Sequence, residues 1–132
     1  MKYILPLKPM SVNQAWRGGA RYKTEEYKQF GQDVGILLGK VEKVGGFVDV
    51  KFVFYLTRTT YGLSDVDNLL KCILDAMVYN GCIDDDRKIV KITAEKRVAE
   101  DYRIEVEIKK SDVQFEDHPN QKYKNIKKHR LP

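Results

Sequence analysis

Between Ser64 and Val90 the chain reads S-D-V-D-N-L-L-K-C-I-L-D-A-M-V-Y-N-G-C-I-D-D-D-R-K-I-V. The stretch holds six aspartates, Asp65, Asp67, Asp75, Asp84, Asp85 and Asp86, and no glutamate. Asp reaches less far than Glu, so groups of Asp suit a compact oxygen cage. Leu70, Ile73, Leu74 and Met77 recur at helix spacing and predict a buried stripe. Ser64 or Asp65 can cap the first N–H groups, and acids in a first turn suit the macrodipole. Asn80-Gly81 ends the helix. A loop then delivers Asp84, Asp85 and Asp86 ahead of the β-branched run Ile89-Val90.

Taken singly, aspartates at a helix start read as caps, and an Asp run in a loop reads as solvated charge. Taken together, the two groups predict a site. A loop returning to the start of the helix sets three carboxylates side by side. Two unit charges about 4 Å apart repel by roughly 4 kcal/mol at an effective dielectric near 20. Such a cluster needs a divalent cation or must take up protons, and Mg²⁺ prefers carboxylate and water oxygens. Lys71 lies four residues after Asp67 and four before Asp75. As an ion-pair ladder this is worth only about 0.2–0.5 kcal/mol per pair. Beside a metal, the ammonium would steady negative charge developing on a phosphate. An EF-hand is excluded, because Leu69 and Leu70 stand where its loop needs an oxygen ligand and a glycine.

D-V-D-N-L-L-K-C-I-L-D-A-M, then Gly81, then D-D-D-R-K-I-V resembles the signature of the RusA-type Holliday junction resolvases. That family carries D-x-D-N-L-x-K-x-x-x-D-A-L, a short gap with glycine, and D-D before an apolar strand. The match runs without a gap from Asp65 to Val90. The resemblance implies that Asp65, Asp67 and Asp86 are the metal-binding catalytic carboxylates and that Lys71 is needed for activity. Asp84 is an extra acid where the family usually has an apolar residue, so Asp85 stands as the substitute for Asp86. The resemblance further implies a homodimer that resolves four-way DNA with Mg²⁺ or Mn²⁺, leaving 5′-phosphate and 3′-hydroxyl ends. A two-fold dimer supplies two identical sites to a junction of two-fold character. RusA-like chains open with a strand, a proline and an asparagine, then a basic loop. Asn13, Arg17 and Arg21 look like that segment and are expected on DNA. Lys96 falls where the family tends to place a lysine, giving a further DNA or phosphate contact.

The 132 residues, 42% of them hydrophobic, suffice for one domain with a real core. The net charge of +5 is unevenly placed. Residues 1–28 carry six Lys/Arg against two Glu, and residues 118–132 carry five Lys/Arg and no acid. An acidic centre between basic ends suits a phosphate-bearing polymer brought to a metal. Cys72 and Cys82 fit no zinc spacing and are too few for a disulfide framework. They predict reduced thiols in a cytoplasmic protein. No apolar run is long enough to span a bilayer, and no signal peptide opens the chain.

Lys2–Leu5 reads as a short strand closed by Pro6. A basic loop with Trp16, Arg17 and Arg21 follows. Thr24 caps a helix whose stripe is Tyr27, Phe30, Val34, Leu37 and Leu38, ended by Gly39 or by Gly45-Gly46. Val48–Thr57 alternates as a half-covered strand, and residues 58–63 form a loop into Asp65. Ile89–Val98 and Tyr102–Ile108 are expected to pair as a hairpin turned near Glu100-Asp101. The order β-α-β-α-β-β predicts an α+β domain over residues 1–110, with two helices on a mixed sheet of about four strands. Residues 111–132 read as a basic tail that orders on DNA or stays loose. Two rivals have other consequences. A non-catalytic branched-DNA-binding module would ignore Mg²⁺, and a small interaction protein would use an open sheet face.

Overall fold

The structure, a computed structural model, describes residues 2–12, 16–17, 22–39 and 43–113, with residues 16–17 and 22–23 described as backbone. In chain order the elements are β1 (Lys2–Leu5), β2 (Trp16–Arg17), β3 (Tyr22–Lys23) and α1 (Glu25–Leu38). Then come β4 (Val48–Leu56), α2 (Arg58–Leu63), α3 (Val66–Tyr79), a 3₁₀ turn (Asp86–Lys88), β5 (Ile89–Val98) and β6 (Arg103–Lys110). The expected α+β domain, with two long helices on a mixed four-stranded sheet, is what forms. The sheet order is β1-β6-β4-β5, with β2 and β3 as a separate small ribbon.

β4 is the axis. Its inward set Val48, Val50, Phe52, Phe54 and Leu56 is at most 2% exposed. It pairs on both edges. β5 lies parallel to it, from Val48↔Ile89 to Leu56↔Val98. β6 lies antiparallel on the other side, from Val48↔Lys110 to Tyr55↔Arg103. β1 adds itself antiparallel to the far edge of β6. The expected hairpin of β5 with β6 therefore does not form, because β4 lies between them. The link crosses the end of β4, where the Ala99 N–H donates to Leu56 O at 2.8 Å. Alternation in each segment fixes which face is buried but not which strand is the neighbour. The most apolar strand takes the central place.

Both long helices cover one face. The α1 cap is as expected, with Tyr27 N–H donating to Thr24 Oγ1 at 3.2 Å. Its buried side is Phe30, Val34 and Leu38, while Leu37 is exposed. In α3 the buried side is Leu69, Cys72, Ile73, Ala76 and Met77. Leu70 and Leu74 are only half-buried, so the predicted stripe is turned by about one residue. Gly81, at φ 77°, lets the chain reverse after the helix. The Cys82 N–H then bonds back to Met77 O at 2.9 Å. The other sheet face is charged. Lys2 meets Glu105 at 3.6 Å, Arg97 meets Glu95 at 2.7 Å, and Arg103 covers the Tyr55 ring at 3.8 Å. Part-exposed pairs of this kind contribute about 1 kcal/mol or less; with the Arg103 guanidinium they roof Val53 and Tyr55, which are only 3% and 8% exposed.

Asn80 ties the two helices together. Its Nδ2 donates to Gly31 O at 3.1 Å and to Ala76 O at 2.8 Å. A Cβ on Gly35 would meet Asn80 Oδ1 at 2.4 Å, whereas a Cβ on Gly31 would meet nothing within 4 Å. Gly31→Ala therefore raises stability by about 0.5–1 kcal/mol through helix propensity. Gly35→Ala lowers it by on the order of 1 kcal/mol, because the broken Asn80 hydrogen bonds outweigh that gain. Urea unfolding of the two variants checks the opposite signs.

Two titrating groups in the same seam give a pH dependence. Burial, reinforced by the Asp75 charge, pushes the Cys72 thiol from 9.0 to about 12 and the Tyr27 phenol from 10.0 to about 12. The folded chain holds both protons where the unfolded chain loses them. Their contribution is complete below about pH 9 and is lost as pH rises toward about 12. Urea midpoints fall across that window, and Cys72→Ala flattens the fall.

Candidate active site

The acids of the helix start and those of the loop sit in different surroundings. Asp65 occupies the N-cap position of α3 in extended backbone, φ −88° and ψ 137°, but its side chain makes no capping hydrogen bond. Among the described residues its carboxylate accepts one long contact, from Asn68 Nδ2 at 3.4 Å. Asp67, in the first turn, is exposed. Lys71 pairs with Asp75 at 3.4 Å and is 61% exposed, so it leans along α3 away from Asp67. Asp75 also accepts from the Tyr27 hydroxyl at 3.4 Å.

Ahead of Asp65, α2 replaces the expected loop. Its start is held by three hydroxyls. Thr57 and Thr60 lie 3.0 Å apart, and each meets the Tyr102 hydroxyl, at 3.1 and 2.7 Å. These hydrogen bonds, with Lys8 5.0 Å over the ring, hold the Tyr102 phenol below its usual value. The end of α2 is held by Lys96. Its Nζ donates to Tyr61 O and to Ser64 O, both at 2.7 Å, and lies 4.4 Å over the Tyr61 ring. The Lys96 amine is thus turned inward. The sequence singled out Lys96 through the family resemblance but gave no sign of the hydroxyl cluster, whose members lie 42 and 45 residues apart in the chain.

The loop acids sort themselves by partner. Asp84 is paired with Lys43 and accepts from the Gly46 N–H. Asp85 caps the 3₁₀ turn, accepting from Arg87 N–H at 2.9 Å and from its guanidinium at 3.2 and 2.9 Å. Those hydrogen bonds hold the Asp85 carboxyl well below the usual carboxylate range. Asp86 is exposed, and among the described residues it makes no salt bridge; neither do Asp65 and Asp67.

The expected meeting of these groups in one chain does not occur. Ser64 is tied to Lys96, near the end of β5, whereas Asp86 lies just before Ile89, at its start. From Ile89 to Lys96 the strand advances about 23 Å at roughly 3.3 Å per residue. The 14 residues of α3 run about 21 Å the other way at 1.5 Å each. Among the described residues no three His, Cys, Asp or Glu side chains come together closely enough to hold a metal ion. The cause is the parallel pairing of β5 with β4. A parallel neighbour must start at the same end, so α3 carries the chain back along the full sheet before Asp84–Asp86 appear. Of the expected DNA contacts, Asn13 and Arg21 lie outside the described residues, as does 114–132. Arg17 is placed by its backbone alone, opposite Tyr22.

A family model for the endodeoxyribonuclease RusA matches residues 6–109 of the 132-residue chain. The chain belongs to the RusA family. The match takes in all six main elements from α1 to β6 and both acidic groups. None of the curated proteins compared with the chain matches it. RusA proteins are endodeoxyribonucleases that resolve Holliday junctions, and they generally depend on a divalent metal. Carboxylate oxygens such as those of Asp65, Asp67 and Asp86 would suit a hard cation of that kind. One copy, however, presents two of them at one end and one at the other.

The contrast between Asp85 and Asp86 is measurable. Because Asp85 is held low by Arg87, its share of stability is present above the ordinary carboxylate range and is lost only as pH falls well below it. Side-chain carboxyl NMR finds Asp85 still ionised at pH 4. Arg87→Ala moves its titration upward.

Proposed function

We propose that the chain is a homodimeric, metal-dependent endonuclease that resolves four-way DNA, and that each of its two sites is completed by both copies. The observation that carries this is the separation of Asp65 and Asp67 from Asp86 by the length of the sheet. A two-fold axis repeats every contact in both directions. If the 65–67 end of one copy lies against the 86 end of the other, the reverse contact forms as well. Two sites result, which suits paired nicks across a junction.

In this reading Asp65 and Asp67 of one copy and the partner's Asp86 hold the cation, Mg²⁺ or Mn²⁺. Asp85 is the weaker candidate because Arg87 already engages it. The cation, when bound, supplies an activated water and charge stabilisation at the scissile phosphate. Lys71 is exposed on the next turn after Asp67, and from there its ammonium can swing from Asp75 to the phosphate and balance charge. Arg17, with Asn13 and Arg21 of the same segment, contacts the DNA backbone, and residues 111–132 add a basic arm. Buried thiols at Cys72 and Cys82 and a DNA substrate support a cytoplasmic setting.

Subunit mixing tests the shared site. Asp67→Asn and Asp86→Asn each give dimers without a complete site and do not cut a synthetic four-way junction in Mg²⁺. A mixed dimer regains one whole site, built from Asp65 and Asp67 of the Asp86→Asn chain and Asp86 of the Asp67→Asn chain. Co-expressed chains therefore nick single strands at about a quarter of the wild-type site count, the share expected for random two-fold assembly. If mixed dimers form by native mass spectrometry and stay inert, the shared site is wrong. A non-catalytic module would bind the junction with no nicking in any mixture.

A further inference from the structure

Lys96 stands on the helix-facing side of β5, in register with Phe54 of β4. Its neighbours on that side are Ala94 and Val98. An ammonium has three donors and no acceptor. Here two of them are spent on Tyr61 O and Ser64 O, at 2.7 Å each, and the charge lies over the Tyr61 ring. These carbonyls belong to the last turn and the C-cap of α2. The last carbonyls of a helix have no partners within it, and that end carries partial negative charge. A six-residue helix cannot hold itself in water. α2 therefore persists because Tyr102 grips its start and Lys96 its end. Ser64 is the residue immediately before Asp65, so the grip ends one peptide from the first acid of D-V-D.

We infer that Lys96 is a positioning residue, an internal clamp on the carbonyls of Tyr61 and Ser64 that fixes where Asp65 and Asp67 are presented. The inference rests on the proposal that these two acids hold the metal. It assigns Lys96 no contact with DNA. The clamp acts on the backbone, so its loss lets the 61–64 turn shift and lets the two carboxylates leave their shared geometry. The metal then binds more weakly while the DNA surface is unchanged. Arginine is an imperfect substitute: its guanidinium can donate to two carbonyls, but it is bulkier and planar and holds them in a different geometry.

The test compares full-length wild type with Lys96→Met, which keeps the apolar stem and removes the donors. The readouts are the Mg²⁺ concentration for half-maximal nicking of a four-way junction, junction affinity in EDTA, and the salt dependence of that affinity. Lys96→Met raises the Mg²⁺ requirement at least tenfold, is partly rescued by excess Mg²⁺, and keeps junction affinity within about twofold with the same salt slope. A lysine on phosphate would instead lower the salt slope by about one. Wild-type Mg²⁺ dependence, or a lowered salt slope, overturns the inference. Should Lys96→Met not fold, Lys96→Arg gives the same readouts, with a Mg²⁺ requirement between the two. An Arg variant with wild-type Mg²⁺ dependence overturns it equally. Asp67→Asn in parallel separates the two ideas. If it cuts at the wild-type rate, the metal assignment fails; if it is dead while Lys96→Met is normal, only the clamp fails.

Discussion

The parallel pairing of β4 with β5 governs everything else in this fold. An antiparallel neighbour can follow after a two-residue turn, but a parallel one must wait until the chain has returned to the starting end. α3 is that return. Its length matches the strand it crosses, which sets the two acidic groups at opposite ends of the sheet. The pairing itself is enforced by burial. Phe52 and Phe54 stack at 5.9 Å between centroids, and both are fully covered by the helices above. Burying each such side chain is worth roughly 1.5–3 kcal/mol, so no alternative register that exposes this face competes.

The elements were legible because each carries its own local signal. Thr24 with Glu25 and Glu26 marks a helix start, Asn80-Gly81 marks a helix end, and the alternation from Val48 to Leu56 marks a half-covered strand. What was not legible is what depends on distant partners. Alternation in β5 and β6 says which face is apolar, and both strands satisfy that requirement on either side of β4. Residues 58–63, R-T-T-Y-G-L, have no apolar period and contain Gly62, so nothing local announces α2. It exists through hydrogen bonds from Tyr102 and Lys96, supplied by strand β5 and the link that follows it. The half-buried state of Leu70 and Leu74 has the same origin, since the angle at which α1 meets α3 decides which side of α3 is deepest.

The chemistry of the site was legible in its residue types and not in its assembly. Three consecutive acids at 84–86 look alike on paper. In the fold Asp84 is answered by Lys43 and Asp85 by Arg87, whereas Asp86, close enough to feel the Arg87 charge, makes no salt bridge among the described residues. At the other end Asp65 stands in a capping position without capping. A carboxylate that declines the nearest N–H keeps its lone pairs for another charge. These local facts agree with the proposed roles of Asp65 and Asp86. The motif could not say that a single chain keeps them apart.

Keeping them apart has an energetic logic. Three carboxylates packed together in one chain would repel by roughly 4 kcal/mol per close pair at about 4 Å. That is a large part of the 5–15 kcal/mol by which a domain of this size is typically stable. With the acids divided between two ends, each chain folds without bearing that repulsion. In the proposed dimer the repulsion arises only where two copies meet, and there a divalent cation and a DNA phosphate can answer it. Folding is then independent of metal, while completion of the site is coupled to assembly and to cation binding. A lone copy would retain a stable fold and a basic surface, yet it would lack a complete set of donors at either end and so could not cut one strand of a junction without its partner.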